Sequence, residues 1–143
     1  SDDNLAVVSP EVNAQFNLPL NEEIGQAMGG VAIHSCGRFT HSMPLLRERV
    51  PSCVAVDCAL DRNCDPNPNE PEEVRDAFAG SDIAVHVRFA AIEGHMQDIL
   101  SRLLHPEIRL VVHVGARDRA EGEARYAQID AILADFYGRP AEE

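Results

Sequence analysis

Beyond its first thirty residues the chain alternates short apolar, β-branched runs with longer amphipathic ones, and the alternation repeats four times. Val31-Ala-Ile-His-Ser-Cys36 is strand-like and ends at Gly37, and His41 to Val50 then reads as a helix whose Pro44 fits only a first turn. Cys53-Val-Ala-Val-Asp-Cys58 is the second strand. The Asn-, Asp- and Pro-rich stretch 61–71 is a loop that opens a helix at Pro71-Glu72-Glu73, where carboxylates meet the positive helix end, and Gly80 stops that helix. Ile83 to Arg88 is the third strand, followed by a helix from His95 to Leu104 that Pro106 closes. Ile108 to Val114 is the fourth strand and Ala120 to Tyr137 the longest helix, with Ala124, Ala127, Ile129, Ile132, Leu133 and Phe136 at helical spacing. Strands alternating with helices of this length are joined by right-handed crossovers into a parallel sheet, so the expected class is α/β.

The first thirty residues are less regular. Leu5-Ala-Val-Val8 reads as the end of an earlier strand, and Ser9-Pro10-Glu11 as a helix start with Ser as N-cap and Pro at the first helical position. Pro19 is expected to break that helix, and Asn21 to cap a second one that runs to Met28 and stops at Gly29-Gly30. No linker or low-complexity stretch divides the chain, so residues 1–143 read as one domain. The chain starts at Ser1 without a Met, which fits a processed start or a cut from something longer.

Charge narrows the partners. Twenty-four Asp and Glu stand against 12 basic residues, for a formal charge of -12. With no concentrated basic patch in view, a nucleic-acid partner is not expected. All 12 basic residues are Arg, which excludes Schiff-base chemistry and a phosphate-loop lysine within this chain. No apolar run approaches the ~18 residues of a membrane span, and no leader marks secretion. The four cysteines, Cys36, Cys53, Cys58 and Cys64, are expected to be reduced thiols in a cytoplasmic protein.

The ends of the four strands collect ionisable side chains. His34 and Cys36 share one face of the first strand, because side chains alternate with a period of two. Asp57 and Cys58 end the second strand, His86 and Arg88 share a face of the third, and His113 nears the end of the fourth. Parallel α/β folds bind ligands at the carboxyl ends of their strands. Imidazole and thiolate two residues apart can both reach one metal ion, and zinc takes that pair readily. A third ligand is then required, with Cys58, His86 and His113 as candidates. Cys53 reads as a small buried hydrophobe, Cys64 as an exposed thiol, and His41, His95 and His105 as capping or surface residues.

On several of these residues the chain resembles the carboxy-terminal half of the uroporphyrinogen decarboxylase superfamily, which includes cobalamin-associated corrinoid methyltransferases. The matching stretches are Ser9-Pro10-Glu11 with Phe16 and Leu18-Pro19, Gly29-Gly30-Val-Ala-Ile-His34-Ser-Cys36-Gly37, and the Pro44-Leu-Leu46 helix. Val56-Asp57 at a strand end follows, then Asp65-Pro-Asn-Pro-Asn-Glu-Pro leading to Phe78-Ala-Gly80. The resemblance covers nearly the whole chain in order. It implies four consecutive βα units of a (β/α)₈ barrel, a full barrel needing about 250 residues. In the methyltransferase branch it implies that His34 and Cys36 bind zinc together with a Cys of the last strand. This chain has His113-Val-Gly-Ala-Arg117 there instead, and His113 is the expected substitute. In the decarboxylase branch His113 matches a substrate-facing His, but Val87-Arg88-Phe89-Ala90 stands where that branch has GNxDP, so porphyrinogen decarboxylation is not expected.

Three functions follow as expectations. The first is zinc-dependent methyl transfer to or from a thiol or a corrinoid protein, with His34, Cys36 and His113 on the metal and His113 and Asp57 as catalytic groups. The second is a non-catalytic half-barrel that binds a small molecule or a protein. The third is an inactive piece of a longer enzyme. A half-barrel leaves two edge strands and an open inner face, so a homodimer is expected, with a lid formed by Leu5 to Met28 as the alternative cover.

Overall fold

When every crossover is right-handed and each new strand joins the same edge, the helices all fall on one face of the sheet. The computed structural model of the protein, which describes residues 1–90 and 94–138, has its core between one face of a four-stranded sheet and the helices. Strands β1 (Val31–His34), β2 (Cys53–Ala59), β3 (Ala84–Arg88) and β4 (Arg109–His113) lie in the order β1-β2-β3-β4, every pair parallel. The chain opens with two short helices, α1 (Asn4–Val7) and α2 (Pro10–Val12). The helices that alternate with the strands are α3 (Leu18–Met28), α4 (Met43–Arg49), α5 (Pro71–Phe78), α6 (His95–Leu103) and α7 (Arg119–Tyr137). From α3 onward each helix packs on the next, in the same order as the strands. The fold is α/β, four βα units in sequence, as in half of a (β/α)₈ barrel.

Strand register sorts the side chains by face. Ile33, Val56 and Val85 occupy one cross-strand row, Cys58, Val87 and Val112 the next, and both rows turn toward the helices. There they join Leu18, Phe39, Leu46, Phe78, Ile99 and Leu103 in one buried core. The other face carries His34, Asp57, His86 and Val111 in one row, with Arg88 and His113 in the next. No helix covers this face among the described residues, and Val111 is 52% exposed on it. Helix α3 closes tightly on the start of β2. A Cβ on Gly25 would lie 1.9 Å from Ser52 Oγ, so only glycine fits there.

The amino-terminal thirty residues depart from expectation in four ways. Leu5 to Val8 is not a strand end: Asn4–Val7 forms a single helical turn, with Leu5 fully buried in the core. Pro19 does not break the helix. Residues 10–28 run on through a π-helical stretch, Asn13–Asn17, and Pro19 sits in the first turn of α3. The wider π turn displaces the carbonyls against which a proline ring would clash. Asn21 does not cap; its Nδ2 donates to Asp2 Oδ2 at 2.6 Å. Nor does Leu5 to Met28 form a lid. Leu5 and Leu18 join the core on the helical side and α3 packs on β1 and α4, so the segment flanks the edge of the sheet.

At the other edge, α7 packs on α6. Its apolar stripe is accordingly shallow. Ile129, Ile132 and Leu133 are partly buried, while Phe136 is 41% exposed despite its helical spacing. No described helix is long and apolar enough to cross a membrane. Phe78, fully buried, should cost about 3–5 kcal/mol on truncation to Ala, whereas Phe136→Ala should stay within about 0.5 kcal/mol. Urea midpoints of the two variants against the parent chain check the contrast; equal losses would mean that α7 is packed as deeply as α5.

Candidate functional site

Asp57 is the junction of the open face. It stands mid-sheet on β2, between His34 of β1 and His86 of β3 in the same row. His34 Nδ1 lies 2.8 Å from Asp57 Oδ2, Arg88 Nε donates to Oδ1 at 2.9 Å, and His86 Nδ1 lies 3.4 Å from Oδ1. Burial pushes the Asp57 carboxyl up, but the hydrogen bonds from His34 and Arg88 and the charges of Arg88 and His86 outweigh it. The carboxyl ends below its ordinary range. An ionised carboxylate can only accept, so His34 donates from Nδ1, and in the neutral ring the lone pair then falls on Nε2.

That lone pair meets Cys36. His34 Nε2 and Cys36 Sγ are 3.4 Å apart, and Cys36 is exposed. Tetrahedral zinc with ligand bonds of about 2.0 Å to nitrogen and 2.3 Å to sulfur places N and S about 3.5 Å apart. A metal-bound His usually donates its other ring N–H to a carboxylate, the place that Asp57 takes here. Asp3 completes the group: one donor atom each from Asp3, His34 and Cys36 lie within 4.8 Å of one another. The Cys36 amide and the Ser1 hydroxyl both donate to Asp3 Oδ1, at 2.8 and 2.9 Å, and hold its carboxyl below the ordinary value. Without a metal, the same Cys36–His34–Asp57 series has the form of a thiol nucleophile, its base and an orienting carboxylate.

The turn that carries Cys36 is shaped from a distance. Gly37 adopts φ 77°, which favours glycine, and its amide donates to Asp65 Oδ2 at 2.8 Å. The Phe39 amide donates to Asn69 Oδ1 at 2.9 Å, while Asn69 Nδ2 donates back to the Gly37 carbonyl at 3.2 Å. Asp65 and Asn69 are buried. The polar loop 61–71 is therefore a scaffold for the turn that bears Cys36 as well as a lead into α5. Within it, the buried Asp61 carboxylate accepts from the amides of Asn63, Cys64 and Ala90 and lies 3.3 Å from His95 Nε2.

The remaining candidates separate. Cys58 is fully buried on the helical face, where burial pushes its thiol up to about 12, so it is not a third ligand to His34 and Cys36. Cys53 is also buried, its thiol raised to about 11, and Cys64 is exposed, as expected. His113 lies at the same carboxyl end of the sheet as His34, but on β4, with β2 and β3 between them. At about 4.8 Å per strand that is on the order of 14 Å along the sheet. Its ring neighbour is His86, at a centroid distance of 5.5 Å. Asp3 had no motif to announce it, and Asp65 and Asn69 stood in a matching stretch that gave them no role; they reach the turn across 33, 28 and 30 residues. Compared with family models, with curated proteins and with solved structures, the chain has no match in any of the three.

Because the folded-state carboxyl of Asp57 is depressed, its contribution to stability is complete above the ordinary carboxylate value of about 3.9 and is lost as pH falls through the lower, folded value. Asp57→Asn should cost about 1–3 kcal/mol at neutral pH. The gap between variant and parent should close in strong acid, as read from urea unfolding across pH. A gap that persists at the acid end would assign the loss to packing.

Proposed function

We propose that the His34–Cys36 rim is a zinc centre serving methyl transfer to or from a thiol, with a corrinoid protein as methyl source or acceptor. The observation that carries this reading is the 3.4 Å separation of His34 Nε2 and Cys36 Sγ, with His34 Nδ1 held on Asp57. The resemblance to the methyltransferase branch of the uroporphyrinogen decarboxylase superfamily adds the reaction class. When bound, a zinc ion would keep a substrate thiol as its thiolate, the form that accepts a methyl group.

The protein's own residues supply binding and access. His34 and Cys36 are the ligands, and Asp57 fixes the tautomer and the ring plane of His34. Arg88 and His86 hold Asp57 in turn, while Asp65 and Asn69 set the turn that aims Cys36. His113 stands further along the same open face, where a substrate would lie. Protein purified without chelator should carry one zinc per chain by elemental analysis, and Cys36→Ser should lose it, because a serine hydroxyl stays protonated. Zinc-free parent protein whose Cys36 is alkylated rapidly, with the rate falling in His34→Ala, would instead favour the thiol-nucleophile reading.

The cover for the open face is, in this reading, a second copy of the chain. Light scattering on the full chain should then give the dimer mass. A monomer mass that persists on dilution overturns the dimer and leaves the zinc reading untouched.

A further inference from the structure

The zinc reading needs a third protein ligand, and the geometry points to the amino-terminal segment as its source. His113 is separated from His34 by two strands, and Cys58 is sealed in the core. Asp3 is within reach of both ligands, and it is the one residue that groups with His34 and Cys36 among the described residues. Its Oδ1 is turned toward the Cys36 amide and the Ser1 hydroxyl, while its Oδ2 takes no hydrogen bond from the protein among the described residues. Carboxylate oxygen is an ordinary zinc donor at about 2.0–2.2 Å, and three protein ligands leave the fourth position of a catalytic zinc for a thiol or water.

We propose that Asp3 is the third ligand, so that a zinc ion bound here staples the amino-terminal segment to the end of β1; this rests on the zinc reading above. The segment is already anchored around that point. The Asp2 amide donates to the His34 carbonyl at 2.7 Å, Asn21 holds the Asp2 carboxylate, and Leu5 is fully buried, its carbonyl accepting from Asn13 Nδ2. Asp3 itself is exposed and held only by its neighbours at the rim. Metal occupancy thus adds a bond where the segment has least packing, and it couples the order of the first residues to the state of the site.

The test compares zinc affinity, by competition with a chromophoric chelator, among the full-length parent chain, Asp3→Asn, His113→Ala and Cys36→Ser. Amide hydrogen exchange of residues 2–8 is followed with and without zinc. Asn keeps an oxygen to accept the Cys36 amide, so Asp3→Asn removes the ligand charge while sparing the turn. Expected is a loss in affinity for Asp3→Asn larger than the 10–100-fold typical of removing a residue that only supports a ligand. Zinc should slow exchange across residues 2–8 in the parent and fail to do so in Asp3→Asn, with His113→Ala behaving as the parent. Parent-like affinity in Asp3→Asn, or a large loss in His113→Ala, overturns the assignment while leaving zinc on His34 and Cys36. A parent chain that binds zinc no better than Cys36→Ser overturns the zinc reading itself.

Discussion

A carboxylate set in the middle of a parallel sheet must be matched by its neighbours, and much of the open face follows from how Asp57 is matched. It draws His34 from one adjacent strand and His86 and Arg88 from the other. These partners reach it because His34, Asp57 and His86 share a cross-strand row. A slip of either neighbouring strand by one residue would turn its polar side chains into the helical core and bring Ile33 or Val85 out to water. The polar row and the apolar row therefore select the same register. The geometry at His34 is a consequence of that agreement, since the ring that faces Cys36 is the one that Asp57 orients.

The four βα units were legible in the sequence because their evidence is local: β-branched runs, helix-opening prolines and acidic first turns all act within a few residues. Period-two alternation was enough to put His86 and Arg88 on one face of β3, and the strand ends to set His34, Asp57 and His86 at one end of the sheet. What local pattern could not show was which distant residue completes each arrangement. Asp3 and Asn69 are ordinary polar residues until the fold sets them beside Cys36 and Phe39. His113 also has the chemistry of a ligand, but strand order, which converts positions in sequence into distances across the sheet, sets two strands between it and His34. Pro19 misled for a related reason: its helix-breaking tendency assumes α-helical spacing, and the preceding turn is π-helical.

Net charge also says less than the distribution of charge. The chain carries -12 overall, yet on the open face His34, His86 and Arg88 surround the carboxylate of Asp57. Much of the acidic excess lies elsewhere, as with Glu72 and Glu73 in the first turn of α5. Long-range repulsion of polyanions and the short-range character of the sheet face are thus set by different residues.

The turn bearing Cys36 takes its shape from Asp65 and Asn69, which lie later in the chain. During synthesis from the amino end, the thiol and its imidazole neighbour emerge well before the side chains that position them. A nascent chain that has reached only β2 holds His34, Cys36 and Asp57 without the loop that sets the Gly37 conformation. The rim is complete only after the loop following β2 has folded back on β1. Assembly of the site is in that sense a late event written into early residues.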